Sequence, residues 1–235
     1  ADIFIAAMGG RRLTGGEYAS LDEIVAGTAA GAAMRMLPGP PLMHGAAQWA
    51  AVMMLTMGAT LVLPDVVEHL APRDFLSAAE REKVLSFTIV GDAFARPILD
   101  ELAARPYDLS KLRIIGSGGA PLSTANKKAF LARLPEVMVL DSIGSSETGA
   151  QGSNPSTKAG GVSTGDFKPV PGAVVVSADL QRVLAPGDDE MGWFAQTGRV
   201  PLGYFQDAEK TARTFPVIGG VRYSVPGDRA RTRAD

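Results

Sequence analysis

The sequence has no cysteine among its 235 residues. Disulfides, thiolate metal sites and a cysteine nucleophile are excluded, and an intracellular, cytoplasmic protein is expected. Histidine is scarce: His44 and His69 are the only two, and they do not form a helical zinc motif. Aromatics make up 6% of the chain against 46% hydrophobic residues in all, so the core must be largely aliphatic. An excess of one charge is missing too. Lys and Arg number 23 and Asp and Glu 25, for a net charge of −2, with no basic stripe, which argues against nucleic acid as a partner. No apolar run reaches the ~20 residues of a bilayer-spanning helix. The longest, Gly45 to Met57, contains Gln48 and Thr56 and is expected to be a buried helix. The first ten residues are apolar but lack the basic start of a signal peptide. A generic catalytic signature is also absent: no glycine precedes a lysine as in a Walker phosphate loop.

What the chain does have is turn chemistry, with 27 glycines and 16 prolines. Over the first 150 residues, helix-like and strand-like stretches alternate. Periodicity predicts helices over Leu21–Met34, Gly45–Met57, Pro72–Leu85, Ala93–Ala104 and Thr124–Arg133. It predicts strands over Thr60–Leu63, Phe87–Val90, Leu112–Gly116 and Val137–Asp141. That alternation implies an α/β domain, a layered sheet with helices on its faces. Ser123 is a suitable N-cap for the last helix. Phe130 and Leu134 fall on one face of it, and Lys127 and Lys128 on the other. The Gly-, Ser- and Asn-rich stretch from Gly149 to Gly165 reads as a loop or boundary. Beyond it, strands are expected at Ala173–Ser177, Gln181–Leu184, Met191–Gln196 and Val221–Val225. The domains are thus 1–152, α/β, and 160–235, a small β-rich, barrel-like subdomain.

Three clusters carry chemistry. Pro40 to Gln48 puts His44 at a helix entrance, where it either caps and packs or meets an anion drawn by open backbone N–H groups. Ile114 to Leu122 runs a buried strand into a glycine turn and a helix. Ligands reach α/β sheets at such strand ends, although a tight turn alone would look the same. Val139 to Gly149 ends another strand in a polar loop. There Glu147 is a hard oxygen donor of the kind magnesium takes. Ser145, Ser146 and Thr148 can donate to phosphate oxygens, and Asp141 can accept from an amino group.

Taken in order, these clusters resemble the acyl-adenylate-forming superfamily of acyl-CoA synthetases, luciferases and peptide-synthetase adenylation domains. Pro41-Leu-Met-His44 resembles its motif before the acyl pocket, and Gly118-Gly-Ala-Pro121 its adenine-side turn. Ile143-Gly-Ser-Ser-Glu147 resembles its Tyr-Gly-x-Thr-Glu motif. Glu190 to Gly198, followed by Gly203-Tyr204, resembles its next glycine-rich strand pair, and Tyr223 to Asp228 its ribose-binding Gly-Asp. The style of residues 201–215 and 225–230 is that of actinobacterial fatty-acid and steroid-side-chain CoA ligases.

The resemblance implies a ligase that uses ATP, Mg2+ and coenzyme A. A fatty or steroid carboxylic acid becomes acyl-AMP and is then passed to the coenzyme A thiol. By position, Glu147 would hold the metal, and Ser146 would stand where a threonine touches phosphate. Gly118, Gly119, Ala120, Asp141, Ser142, Ile143 and Gly144 would surround the nucleotide base. Asp228 would accept from the ribose hydroxyls. His44 would lie beside the acyl phosphate, with Trp49, Met53 and Ser117 near the acyl pocket. Ile143 departs from the family tyrosine and gives apolar contact without ring stacking. The resemblance also places the phosphate loop before residue 1 and a small C-terminal domain after residue 235, so the stretch by itself is expected to show no turnover. Apolar surface opened in this way would favour a homo-oligomer. The competing readings are an enzyme loading a carrier protein, a non-catalytic nucleotide-binding module and an interaction domain on the same fold.

Overall fold

The computed structural model describes residues 18–29 and 34–234. The chain divides into two compact units. The first comprises Ala1–Ile143 and Ser153–Phe167, and the second Gly144–Gly152 and Lys168–Asp235. The sequence reading places a single boundary between 152 and 160, whereas the chain passes between the units more than once.

In the first unit, parallel strands lie in the order β2-β1-β3-β4-β5. These are β1 (Arg35–Pro38), β2 (Thr60–Leu61), β3 (Ser86–Ile89), β4 (Ile114–Gly118) and β5 (Met138–Ser145), the last running on into the second unit. Register is set by pairs such as Leu37 with Phe87, Phe87 with Ile115 and Ile115 with Val139. All four of these side chains are fully buried, which makes a one-residue slip costly. Helices α1 (Leu21–Ala29), α2 (Gly45–Thr56), α3 (Pro72–Arg81), α4 (Gly91–Ala104) and α5 (Thr124–Arg133) accompany the strands. Phe75 of α3 meets Phe87 edge to face at 5.3 Å, and Ile98, Leu76 and Phe130 complete an apolar core around them. Burial of each such side chain contributes roughly 1.5–3 kcal/mol.

Several expectations are corrected. Helix α3 stops at Arg81 because Lys83 turns to φ 51°. The first expected helix is present over Leu21–Ala29, its residues 30–33 fall outside the described residues, and Met34 is not helical. Strand β1 was not foreseen. Helix α2 buries only Ala47 and Ala51 and leaves Leu55 exposed, so it is a half-buried rather than a buried helix. The expected loop after Gly149 begins with a strand, β6 (Gly149–Ser156), whose buried side chains include Gln151, Asn154 and Ser156. With polar side chains facing inward, hydrophobic alternation had nothing to report.

The second unit holds a three-stranded antiparallel sheet in the order β12-β9-β8 and a hairpin β10-β11. Its elements are β7 (Lys168–Pro169), β8 (Ala173–Val176), β9 (Gly192–Gln196), helix α6 (Ala208–Thr214), β10 (Val217–Ile218), β11 (Val221–Arg222) and β12 (Arg229–Ala230). Val176, Ala195, Ile218 and Tyr223 form its core. The expected strand at Gln181–Leu184 reduces to a single bridge between Val176 and Val183. The Ser177 hydroxyl accepts from the N–H groups of Gln181 and Arg182, both at 3.1 Å. Such local side-chain bonds draw the backbone out of the ladder.

Candidate functional site: a glycine turn and a carboxylate loop

The first unit carries His44, Gly118, Gly119, Ala120, Asp141, Ser142 and Ile143. The second carries Gly144, Ser146, Glu147 and Asp228.

In the first unit the site is the turn that follows β4. Ile115 and Ser117 face inward along the strand, and the Ser117 hydroxyl accepts from the Gly91 N–H at 3.2 Å. Gly118 pairs with Ser142 of β5, and a Cβ placed on it would sit 3.4 Å from the Ser142 carbonyl. Gly119 then takes φ +80° and is exposed, a conformation suited to glycine. Two clamps hold the far end. The Asp92 N–H donates to the Pro121 carbonyl at 3.1 Å, and the Asp92 carboxylate accepts from the Ser123 N–H at 2.8 Å. Burial pushes the Asp92 carboxyl up, but hydrogen bonds from Ser123 and Asn126 and the charge of Arg96 outweigh it and leave the group below its ordinary range. Ser123 caps α5 as expected, accepting from Asn126 N–H at 3.3 Å.

His44 is the N-cap of α2, with its Nδ1 accepting from the Ala46 N–H at 3.2 Å. An accepting Nδ1 leaves Nε2 as the N–H of the ring. The imidazole is exposed, and a Cβ on Gly119 would lie 3.6 Å from its Cε1. The histidine and the glycine turn, 75 residues apart in sequence numbering, are therefore neighbours. Trp49 and Met53 are half-buried along α2. His69 is exposed, on the wall of an apolar groove of about 340 Å³ that Pro40, Leu63, Val67 and Phe94 also line.

Asp141 is buried, and the expected solvent face of α5 is corrected around it. Lys127 has no exposed surface, and its ammonium lies 2.6 Å from Asp141 Oδ2. Lys127, Phe130 and Leu131 stand at i, i+3 and i+4, one helical face. That spacing was the available signal for burial, and the charge hid it.

In the second unit the loop between β5 and β6 is built by hydroxyls. The Thr148 side chain accepts from Ser145 N–H at 3.0 Å, Ser145 Oγ accepts from Glu147 N–H at 3.2 Å, and the two hydroxyls are 3.1 Å apart. A Cβ on Gly144 would come within 2.3 Å of the Gly149 carbonyl, so only glycine fits this crossing. Ser146 is exposed at the tip. Glu147 Oε1 accepts from the Tyr204 hydroxyl at 2.5 Å. Burial pushes the Glu147 carboxyl up, but Tyr204, its own N–H, Ser145 and the charge of Lys210 together leave it below its ordinary range. Asp228 is exposed, and its carbonyl accepts from Phe194 N–H at 2.8 Å, which anchors the start of β12 on β9. Tyr204 was not read from the sequence as a site residue.

Among the described residues, no three His, Asp or Glu side chains gather into a metal cage. A lone anionic carboxylate beside hydroxyls suits Mg2+, which keeps waters and takes most of its other ligands from a substrate's phosphates. Among the described residues, no helix is long and apolar enough to cross a membrane.

A family model described as AMP-binding enzyme matches residues 17–192. The chain belongs to the AMP-binding enzyme family. Among curated members, it is 49% identical to the medium-chain acyl-CoA ligase Mig of Mycobacterium avium over 235 residues, covering 100% of this chain and 42% of that protein. It is 39% identical over 241 residues to a medium/long-chain-fatty-acid–CoA/3-oxocholest-4-en-26-oate–CoA ligase of Mycolicibacterium smegmatis, covering 100% of this chain and 43% of that one. The chain thus spans less than half the length of these family members. Among solved structures, the nonribosomal peptide synthetase FmoA3 superposes with a TM-score of 0.76 at 23% identity, covering 92% of this chain and 24% of that chain. This likeness establishes the shared α/β fold of the family.

Proposed function

We propose that this chain is the acid- and nucleotide-binding part of an ATP-dependent acyl-CoA ligase acting on fatty or steroid-side-chain acids in the cytoplasm. The observation that carries the reading is the pairing of His44 with the Gly118–Pro121 turn, 3.6 Å from a Cβ position on Gly119, in a chain 49% identical to a medium-chain acyl-CoA ligase. Electrostatics supplies the rest of the logic. A carboxylate oxygen attacks the α-phosphorus of ATP, and the bond to pyrophosphate breaks. The coenzyme A sulfur, its proton lost to solvent or base, then attacks the acyl carbon and AMP leaves. Two anions must meet in the first step, so oriented donors and a cation are needed.

In this reading Glu147 holds Mg2+, whose chemistry is to neutralise phosphate charge. Ser146 and the neighbouring hydroxyls donate to phosphate oxygens. The Gly118–Ala120 turn, Asp141, Ser142, Ile143 and Gly144 surround the adenine, with Ile143 giving apolar contact. Asp228 accepts from the ribose hydroxyls. His44, with an Nε2–H, donates toward the acyl phosphate, and Trp49 and Met53 lie near the acyl chain.

The deciding experiment uses the full-length ligase, because the chain spans only 42–43% of the related ligases. Pyrophosphate release is followed with ATP, Mg2+ and a panel of fatty and steroid acids, with and without coenzyme A. Acid-dependent release with thioester formation supports the reading and names the substrate class. Folded protein that binds AMP yet releases no pyrophosphate with any acid would instead be a non-catalytic nucleotide module. Thioester formed only on an added carrier protein would move the acceptor.

A further inference from the structure

Lys127 is a charged side chain with 0% exposure, set in a helix face beside Phe130 and Leu131. Its ammonium does two things. It lies 2.6 Å from Asp141 Oδ2, and it donates to the Ser163 carbonyl at 2.7 Å. Ser163 is held in turn by Asn154, whose Nδ2 donates to the serine hydroxyl at 2.9 Å. The next residue, Thr164, donates to the Leu122 carbonyl at 3.0 Å. One lysine therefore ties the middle of β5 to α5 and to the 163–164 backbone, next to the residue that follows the glycine turn.

Stability is a weak reason for such a pair. Desolvating two charges offsets most of their attraction, and apolar replacements of buried ion pairs are often neutral or better. Position is the stronger reason. Asp141 stands opposite Ser117, one residue before the Gly118–Ser142 pair that ends the β4–β5 register, at the carboxyl end of β4 and midway along β5. The carboxyl end of a strand is where open α/β sheets receive ligands.

We propose that Lys127 is a positioning residue for purine recognition. By holding Oδ2 of Asp141, it fixes the carboxylate so that Oδ1 accepts from the 6-amino group of adenine. The inference rests on the nucleotide reading above. A carboxylate only accepts hydrogen bonds, so a 6-oxo purine presents it with a second acceptor and is rejected. Lys127 itself touches no substrate; it acts through the direction it gives Asp141.

The test compares AMP with IMP, which differ at position 6, by equilibrium titration of the full-length ligase, with a thermal midpoint for every variant. Lys127→Gln keeps the volume and a donor but removes the charge. The double variant Lys127→Met/Asp141→Asn leaves no unpaired charge in the core and covers the case in which the single variant fails to fold. Wild-type protein is expected to prefer AMP, and the preference is expected to fall about tenfold or more in either folded variant, the effect of one charge-assisted hydrogen bond. A lowered midpoint with the AMP preference intact would make the pair purely structural and overturn the proposal. Wild-type protein that binds AMP and IMP equally would also overturn it while leaving the nucleotide reading in place. Wild-type protein that binds neither would remove the nucleotide reading and the proposal with it.

Discussion

The Tyr204 hydroxyl donates to Oε1 of Glu147 at 2.5 Å, and the two residues are 57 positions apart. The tyrosine is itself fixed. Its N–H donates to the Thr211 hydroxyl at 2.8 Å, its ring lies 5.6 Å from that of Phe215, and the Lys210 ammonium sits 3.9 Å from its ring centroid. The proposed metal-holding carboxylate is therefore steered by a residue on the approach to α6. Tyr204→Phe removes the donor and keeps the ring contacts. In the full-length protein, on the proposed ligase reading, we expect the Mg2+ concentration for half-maximal rate to rise about tenfold, the scale of one hydrogen bond to a charged group, with little change in melting midpoint. Initial rates of pyrophosphate release across a magnesium series measure it. An unchanged magnesium dependence would refute the steering role.

The same hydrogen bond has two titrating ends. Glu147 sits below its ordinary value of 4.5, the push of burial being outweighed by Tyr204 and its other donors. Tyr204 sits above its ordinary value of 10.0, through burial first and then its bond to Glu147. A depressed carboxyl contributes stability above its unfolded value, and that contribution is lost as pH falls through the folded one. A raised phenol contributes below its unfolded value and loses the contribution as pH rises through the folded one. The gap in melting midpoint between wild type and Tyr204→Phe is accordingly expected to be widest between pH 5 and 9 and to close on both sides, below 4.5 and above 10.0. Thermal melts across that range check it. A gap independent of pH would mean that the hydroxyl is not coupled to a carboxylate.

Local sequence carried much of the first unit. Helix α5 was read at both ends, Thr124 and Arg133, because Ser123 caps it and its backbone pattern is regular. Strands β3 and β4 were read to within two residues because each is a short apolar run between turns. The glycine turn and the His44 cap were legible for the same reason, since both are contiguous. What escaped depends on partners far along the chain. Lys127 reads as a solvent-facing residue until Asp141 arrives beside it from β5. Strand β6 reads as a loop because its inward side chains at Gln151, Asn154 and Ser156 are polar. Tyr204 has no local mark that points to Glu147. Periodicity reports which face is apolar, not which polar groups the fold will bring together.

His44 has a structural role and a proposed catalytic one, and the two can be separated. As N-cap of α2 it accepts from the Ala46 N–H at 3.2 Å, and replacement by Ala is expected to cost about 1 kcal/mol of stability. Asn caps as well, so His44→Asn should keep the melting midpoint. It lacks the imidazole proposed to reach the acyl phosphate, so adenylation by the full-length protein is expected to fall about a hundredfold, as for loss of one positioned donor. Paired thermal melts and acid-dependent pyrophosphate release decide between the roles. Full activity in His44→Asn would reduce the histidine to a helix cap.

Gly91 tests whether the glycine turn is positioned from behind. At φ +50°, a Cβ added there would stand 2.5 Å from the Pro121 carbonyl and 2.9 Å from that of Ala120. Gly91→Ala must then move the Gly118–Pro121 turn as well as strain its own backbone, and we expect a loss of about 2–4 kcal/mol from crowding and strain together. Gly219 is the control. It has φ +56° with nothing within 4 Å of its Cβ position, so Gly219→Ala meets only the left-handed backbone penalty, roughly 1–2 kcal/mol. Chemical denaturation gives both values, and AMP titration adds the decisive difference. Gly91→Ala should weaken AMP binding while Gly219→Ala should not. Equal AMP affinity in the two variants would show that the turn tolerates displacement, and the nucleotide contacts would then have to be sought elsewhere than at Gly118 to Ala120.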